Sequence, residues 1–137
     1  MAVNVELTYE GGLRTRAVHG PSGTAITIDA PVDNHGRGES FSPTDLVATA
    51  LGACMLTLMG IAAAPRGLDL AGASVHVEKH MVADPDRRIG TIVVALRLPV
   101  DLELRQREVL ERAAHTCPVM KSLDPRIETV VTFRWGP

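Results

Sequence analysis

Between Leu46 and Pro65 the chain reads LVATALGACMLTLMGIAAAP, a run without one charged side chain. The residues ahead of it, Ser42-Pro43-Thr44-Asp45, specify a helix start. Ser suits the N-cap, Pro the first helical position, and an acid three residues after the cap can bond back to it. Such a helix is long enough to cross a bilayer. It is diluted by Ala, Gly and Thr, however, and lacks the charged flanks that set a membrane topology. A helix apolar on all sides is expected inside a core, so the rest of the chain must wrap it, with no membrane as partner. Gly52 and Gly60 would let another backbone come close.

The wrapping material is mostly strand. Val3, Val5 and Leu7 alternate with polar residues up to Glu10-Gly11-Gly12, Leu13 to Val18 is a return strand, and Thr24 to Asp29 is a third. Asp29 to Phe41 has the Pro, Gly and Asn content of a long loop. After the helix, Leu70 to Val82 and Ile89 to Leu98 flank the turn Asp84-Pro85-Asp86 as a hairpin. Asp101 to His115 is amphipathic at helical spacing, with Glu103–Arg107 and Glu108–Arg112 as four-apart pairs. Cys117-Pro118 opens a short helical turn through Ser122, and Ile127 to Trp135 is a closing strand. The order βββ-α-ββ-α-α-β predicts one α+β domain over residues 1–137, with antiparallel sheet around the apolar helix. Aromatic residues make up only 3%, so the core must be aliphatic. The net charge of -2 and the short basic clusters at Arg87-Arg88 and Arg105/Arg107, interleaved with acids, give no surface for nucleic acid. Met1-Ala-Val-Asn-Val lacks the basic, then apolar, pattern of a secretory leader, which predicts a cytoplasmic protein whose two cysteines begin as thiols.

Those cysteines, 63 positions apart, have no metal-finger spacing. Cys54 lies mid-helix and shares a face with Val47, Ala50, Leu51, Thr57, Leu58 and Ile61. Burial there would raise its pKa and leave it an inert core residue, unless an arginine from outside the helix polarised it. Cys117 precedes a proline at a helix start, where backbone N–H groups favour a thiolate, so local physics makes it the more acidic of the two. His115 is a base or a surface residue at a helix end. Asp45 is accounted for by capping, and nine helical residues, about 13 Å of rise, separate it from Cys54. Glu39, in the loop, is the better holder of an arginine. A metal site from His115, Cys117 and Cys54 is too sparse, and His76 with His80 on one strand face is commonplace, so neither a metal nor a cofactor is expected.

The segment SPTDLVATALGACMLTLMGIAA, the later AHTCPVMKSL, and DAPVDNHGRGESFSP before the helix together resemble the OsmC/Ohr family, over essentially the whole chain. The resemblance implies antiparallel sheets wrapped around paired central helices in an intertwined homodimer with active sites at the interface. It also implies a cysteine-based peroxidase for small organic hydroperoxides. Cys54 would attack and become a sulfenic acid, Cys117 would condense with it to a disulfide, and an external dithiol would reduce that disulfide. The family's peroxidases carry a Glu ten positions before the helix cysteine, where it holds a catalytic Arg. Here that position is Thr44. Arg37, close to Glu39, is the preferred arginine, with Arg14 or Arg16 in the N-terminal turn as the other source. The departure at Thr44 leaves an alternative open, a non-catalytic protein of this fold that binds a small hydrophobic ligand or a thiol adduct.

Overall fold

In the computed structural model, which describes residues 1–137, the N-terminal alternation forms the three strands it predicts. They are β1 (Val5–Gly11), β2 (Arg14–His19) and β3 (Ala25–Asp29), an antiparallel meander in the order β1-β2-β3. Gly11 and Gly12 take positive φ at the first turn, a conformation costly for side-chain-bearing residues. The register pairs Leu7 with Ala17 and Ala17 with Ile26, and likewise Tyr9 with Thr15 and Thr15 with Ile28. One face of this sheet is therefore apolar, and Val5, Leu7, Tyr9 and Ile26 stand exposed on it. The expected loop is present and contains one 3-10 turn, Val32–Asn34. Its return is tied to β3 by the Asp29 N–H donating to the Phe41 carbonyl at 3.0 Å. These residues, Met1–Leu46, form one compact unit, and Val47–Pro137 form a second.

Helix α1 (Pro43–Ala63) starts as predicted. The Ser42 hydroxyl accepts the Asp45 N–H at 3.0 Å, and the Asp45 carboxylate accepts the Ser42 N–H at 2.9 Å. This reciprocal pair satisfies two of the donors that a helix start leaves unpaired. A 3-10 turn at Ala64–Arg66 and Gly67 at φ +68° end it.

In the second unit, β4 (Ser74–Val82) and β5 (Arg88–Leu98) form the expected hairpin, whereas β6 (Glu128–Trp135) joins β5 in parallel. The sheet is thus mixed, where alternation alone predicts antiparallel pairing. The reason is the crossover: α2 (Leu104–Ala114) and α3 (Pro118–Ser122) carry the chain back to the end where β5 began. Leu51, Met55 and Met59 of α1 pack with Ile92, Val94, Leu96 and Leu98 of β5, with Leu110 and Ala114 of α2, and with Cys117. Gly52 is where α1 meets β4, since a Cβ there would lie 2.6 Å from a Val77 methyl.

Two expectations are corrected. The helix is not buried all round: Ala48, Leu51, Gly52, Met55, Met59 and Ala63 mark one covered face, while Val47, Ala50, Ala53, Thr57 and Ile61 are exposed, Ile61 at 63%. One small sheet and one helix supply cover for one side only. The four-apart pairs on α2 also do not form. Glu103 is the extended N-cap rather than a helical residue, and Arg107 instead bonds the Leu102 carbonyl at 2.8 Å and Asp101 at 3.3 Å, beside the Trp135 ring. Arg112 lines a shallow cavity with Arg66 and is not paired with Glu108.

Candidate active site: a thiol pair and an arginine–carboxylate cluster

Helix α1 presents Cys54 half-buried, on the edge between its covered and exposed faces. The α2–α3 junction presents Cys117, fully buried, as the N-cap of α3. Cys54 packs against the core cluster that contains Cys117, close enough for the two sulfurs to influence each other's ionisation, and both are free thiols. Folding of the second unit thus brings the remote cysteines into contact.

The shift at Cys117 runs against the local expectation of an acidic thiol. The backbone N–H groups of Val119 and Met120 do pull its pKa down. Burial outweighs them, and the neighbouring Cys54 thiol adds to burial, so the thiol is pushed up from its usual range. Two N–H groups of a five-residue helix do not replace the hydration that an anion loses in a closed core. A thiol of this kind stays protonated at neutral pH. We expect iodoacetamide at pH 7 to modify Cys54 alone in the native protein, and Cys117 to react only after unfolding. Equal labelling of both cysteines, read by peptide mass spectrometry, would contradict the assignment. His115 caps the end of α2 on the surface, its ring set edge-on to Phe133 with centroids 5.9 Å apart.

The first unit holds the charged cluster. Arg14 forks onto Asp29, with Nε 2.6 Å from Oδ1 and Nη2 2.9 Å from Oδ2, and Nη2 also lies 3.5 Å from Glu39. The Asp29 side chain is 0% exposed and that of Arg14 25%. The fork holds the Asp29 carboxyl below its ordinary range against the opposing cost of burial, and raises the Arg14 guanidinium. Arg37 joins the cluster from the loop: its guanidinium lies against Gly12, where a side chain would collide with it, and its charge also favours the Asp29 carboxylate. Of the residues singled out from the sequence, Arg14, Arg37 and Glu39 come together, while Arg16 is exposed two residues along β2. Asp29 escaped the sequence reading. The signal was there in the hairpin pattern, because Arg14 and Asp29 are register partners. Thr44, at the position of the family acid, sits by the helix cap with its hydroxyl 3.3 Å from that of Ser42.

No group of three or more His, Cys, Asp or Glu side chains is arranged to hold a metal ion.

Residues 36–132 match the family model described as OsmC-like protein. Among curated proteins none matches the chain. Among solved structures, a Psychrobacter arcticus protein provisionally called an osmotic stress induced and detoxification response protein is 45% identical, with a TM-score of 0.90 and cover of 95% of this chain and 94% of that one. An organic hydroperoxide resistance protein OsmC of Legionella pneumophila is 16% identical with a TM-score of 0.78, covering 98% of this chain and 97% of that one. OhrB of Bacillus subtilis, an organic hydroperoxide resistance protein, is 17% identical with a TM-score of 0.71, and 98% of each chain is covered. These last two establish the shared fold alone. With a family model matched over most of its length, the chain belongs to the OsmC-like protein family.

Proposed function

We propose that this protein is a cysteine-based peroxidase for small organic hydroperoxides. The observation that carries the reading is the thiol pair itself: a half-exposed Cys54 packed beside a buried Cys117, with no disulfide between them. The Cys54 thiolate attacks the terminal oxygen of the hydroperoxide. The O–O bond breaks, the alkoxide takes up a proton and leaves as the alcohol, and Cys54 becomes a sulfenic acid. Cys117 then attacks the sulfenic sulfur. Its own proton leaves with the hydroxyl as water, and a Cys54–Cys117 disulfide remains, which an external dithiol reduces by thiol–disulfide exchange. The protonated state of Cys117 suits this order, since it does not compete for peroxide while Cys54 does.

Arg14 is the cation we assign to the attacking thiolate, with Arg37 and Glu39 completing its cluster. Its Nη1 takes no part in the bonds to Asp29 and Glu39, and a guanidinium stays charged at any pH at which a thiol ionises. Beside Asp29 the same unit holds an apolar cleft of about 240 Å³, lined by Tyr9, Leu13, Ile28, Pro31 and Pro43.

The working unit in this proposal is a cytoplasmic homodimer. Two apolar surfaces favour it: the uncharged stripe Val47, Ala50, Ala53, Thr57 and Ile61 on α1, and the face of β1 and β3 carrying Leu7, Tyr9 and Ile26. Exposed apolar area of this extent marks an association surface. Sedimentation of the full chain should give twice the monomer mass, and a single-chain mass at micromolar concentration would remove the dimer from the scheme.

The test of the activity is thiol titration. One equivalent of cumene hydroperoxide should consume both thiols within seconds and return them on addition of dithiothreitol. An unchanged thiol count would exclude the peroxidase. If native mass spectrometry then showed a retained apolar molecule instead, the chain would be a binding protein.

A further inference from the structure

We infer that the cavity between the C-terminal ends of α1 and α2 is a binding site for a small organic anion, a carboxylate carried on an apolar chain. The cavity has a volume of about 490 Å³ and is lined by Ala62, Arg66, Val109, Arg112, Ala113 and Thr116. That volume is within the roughly 300–1,000 Å³ usual for small-molecule sites. All six residues belong to the unit Val47–Pro137. None of them belongs to the thiol pair, to the Arg14 cluster or to the α1 stripe assigned to the dimer.

Two arginines line this cavity from different helix ends, and no carboxylate does. A cleft carrying charge of one sign concentrates counter-ions, and an anion set between two like charges offsets their repulsion. Capping of the helix ends accounts for only part of the arrangement. Arg66 donates from Nη1 to the Ala62 carbonyl at 2.6 Å, as a basic residue at a helix end commonly does. Its Nε and Nη2 make no bond. Those two atoms form the edge with which Arg14 forks onto Asp29 in this same protein. Arg112, in the last turn of α2, has neither a carbonyl nor an acid as partner. Thr116 spends its hydroxyl proton on the Ala113 carbonyl at 2.7 Å, so the arginines are the donors that meet an anion. The rest of the lining is apolar: Ala62, Val109 and Ala113 are partly buried and carry no polar side-chain atom. A bare inorganic anion would leave that surface in water, whereas a charged head on an apolar chain uses both parts of the lining.

Isothermal titration calorimetry of the full chain with octanoate tests the site, with 1-octanol as the probe without the charge and acetate as the probe without the chain. Octanoate should bind at least about tenfold more tightly than either. Arg66→Gln and Arg112→Gln should each weaken octanoate about tenfold, the loss expected for one charge-assisted pair, and leave 1-octanol unchanged. Arg105, exposed on α2 and outside the lining, is the control, and Arg105→Gln should bind octanoate as the wild-type protein does. If Arg66→Gln disturbs the end of α1 by losing its bond to Ala62, Arg112→Gln decides, since that side chain has no partner to lose. Absence of binding at millimolar octanoate, equal affinity for 1-octanol or acetate, or wild-type affinity in Arg112→Gln overturns the site. A loss in Arg105→Gln matching that in Arg112→Gln overturns it as well, because overall charge would then be the cause.

Discussion

Replacing Cys54 by Ser should abolish the proposed hydroperoxide turnover, reducing the rate to that of buffer. A hydroxyl at this position stays protonated at neutral pH, and its oxygen cannot follow sulfur to a sulfenic acid and on to a disulfide. The companion variant Cys117→Ser has a different outcome. The first step should survive, because the proposed attacking thiol is intact, and one equivalent of alcohol should form per site. Turnover then stalls, since no second sulfur is in contact with the sulfenic acid. Dimedone should trap that acid as a mass adduct on Cys54 in Cys117→Ser and trap little in the wild-type protein. If Cys54→Ser retained activity, or if Cys117→Ser turned over at the full rate without added thiol, the division of labour between attacking and resolving sulfur would be wrong.

The second large effect is on stability. Gly52 faces β4 so closely that a Cβ would stand 2.6 Å from the Val77 methyl and 3.4 Å from one on Val75. Valine side chains are stiff at χ1 and sit on backbone fixed in the sheet, so neither can swing aside. Gly52→Val adds still more volume at the contact and should destabilise the fold by about 2–3 kcal/mol, lowering Tm by roughly 6–12 °C. Gly60 makes the comparison, since a Cβ there meets nothing within 4 Å. Gly60→Ala should hold or raise the stability of the same helix, by up to about 1 kcal/mol from helix propensity. Equal loss in the two variants, followed by thermal unfolding, would mean that α1 does not pack on β4 through Gly52.

The elements themselves were legible because their causes are local. Ser42, Pro43 and Asp45 start α1 by backbone chemistry that needs no distant partner, and the alternation of Val3, Val5 and Leu7 points to a strand whatever lies beside it. The loop from Asp29 to Phe41 followed from its Gly, Pro and Asn content, though not the tie between its two ends. The direction of β6 was not legible. Parallel and antiparallel strands read alike along one chain, and only the path of the α2–α3 crossover decides between them. The exposed stripe on α1 was hidden for a similar reason. An uncharged helix implies cover, but its own residues do not say how much of that cover the same chain supplies.

The chemistry divides along the same line. Sequence alone singled out two sulfur atoms and three arginines, because residue type fixes what a side chain can donate, accept or attack. It placed the more acidic thiol at Cys117, where short-range helix geometry points. Tertiary packing works against that placement by pushing the Cys117 thiol up, since ionisation depends on how much water surrounds a group, a sum over every element that closes around it. The contact of Cys117 with Cys54, and the capture of Arg14 by a buried Asp29, are likewise products of folding. Each needs an ångström-scale meeting of residues remote in the chain, and no local periodicity encodes such a distance.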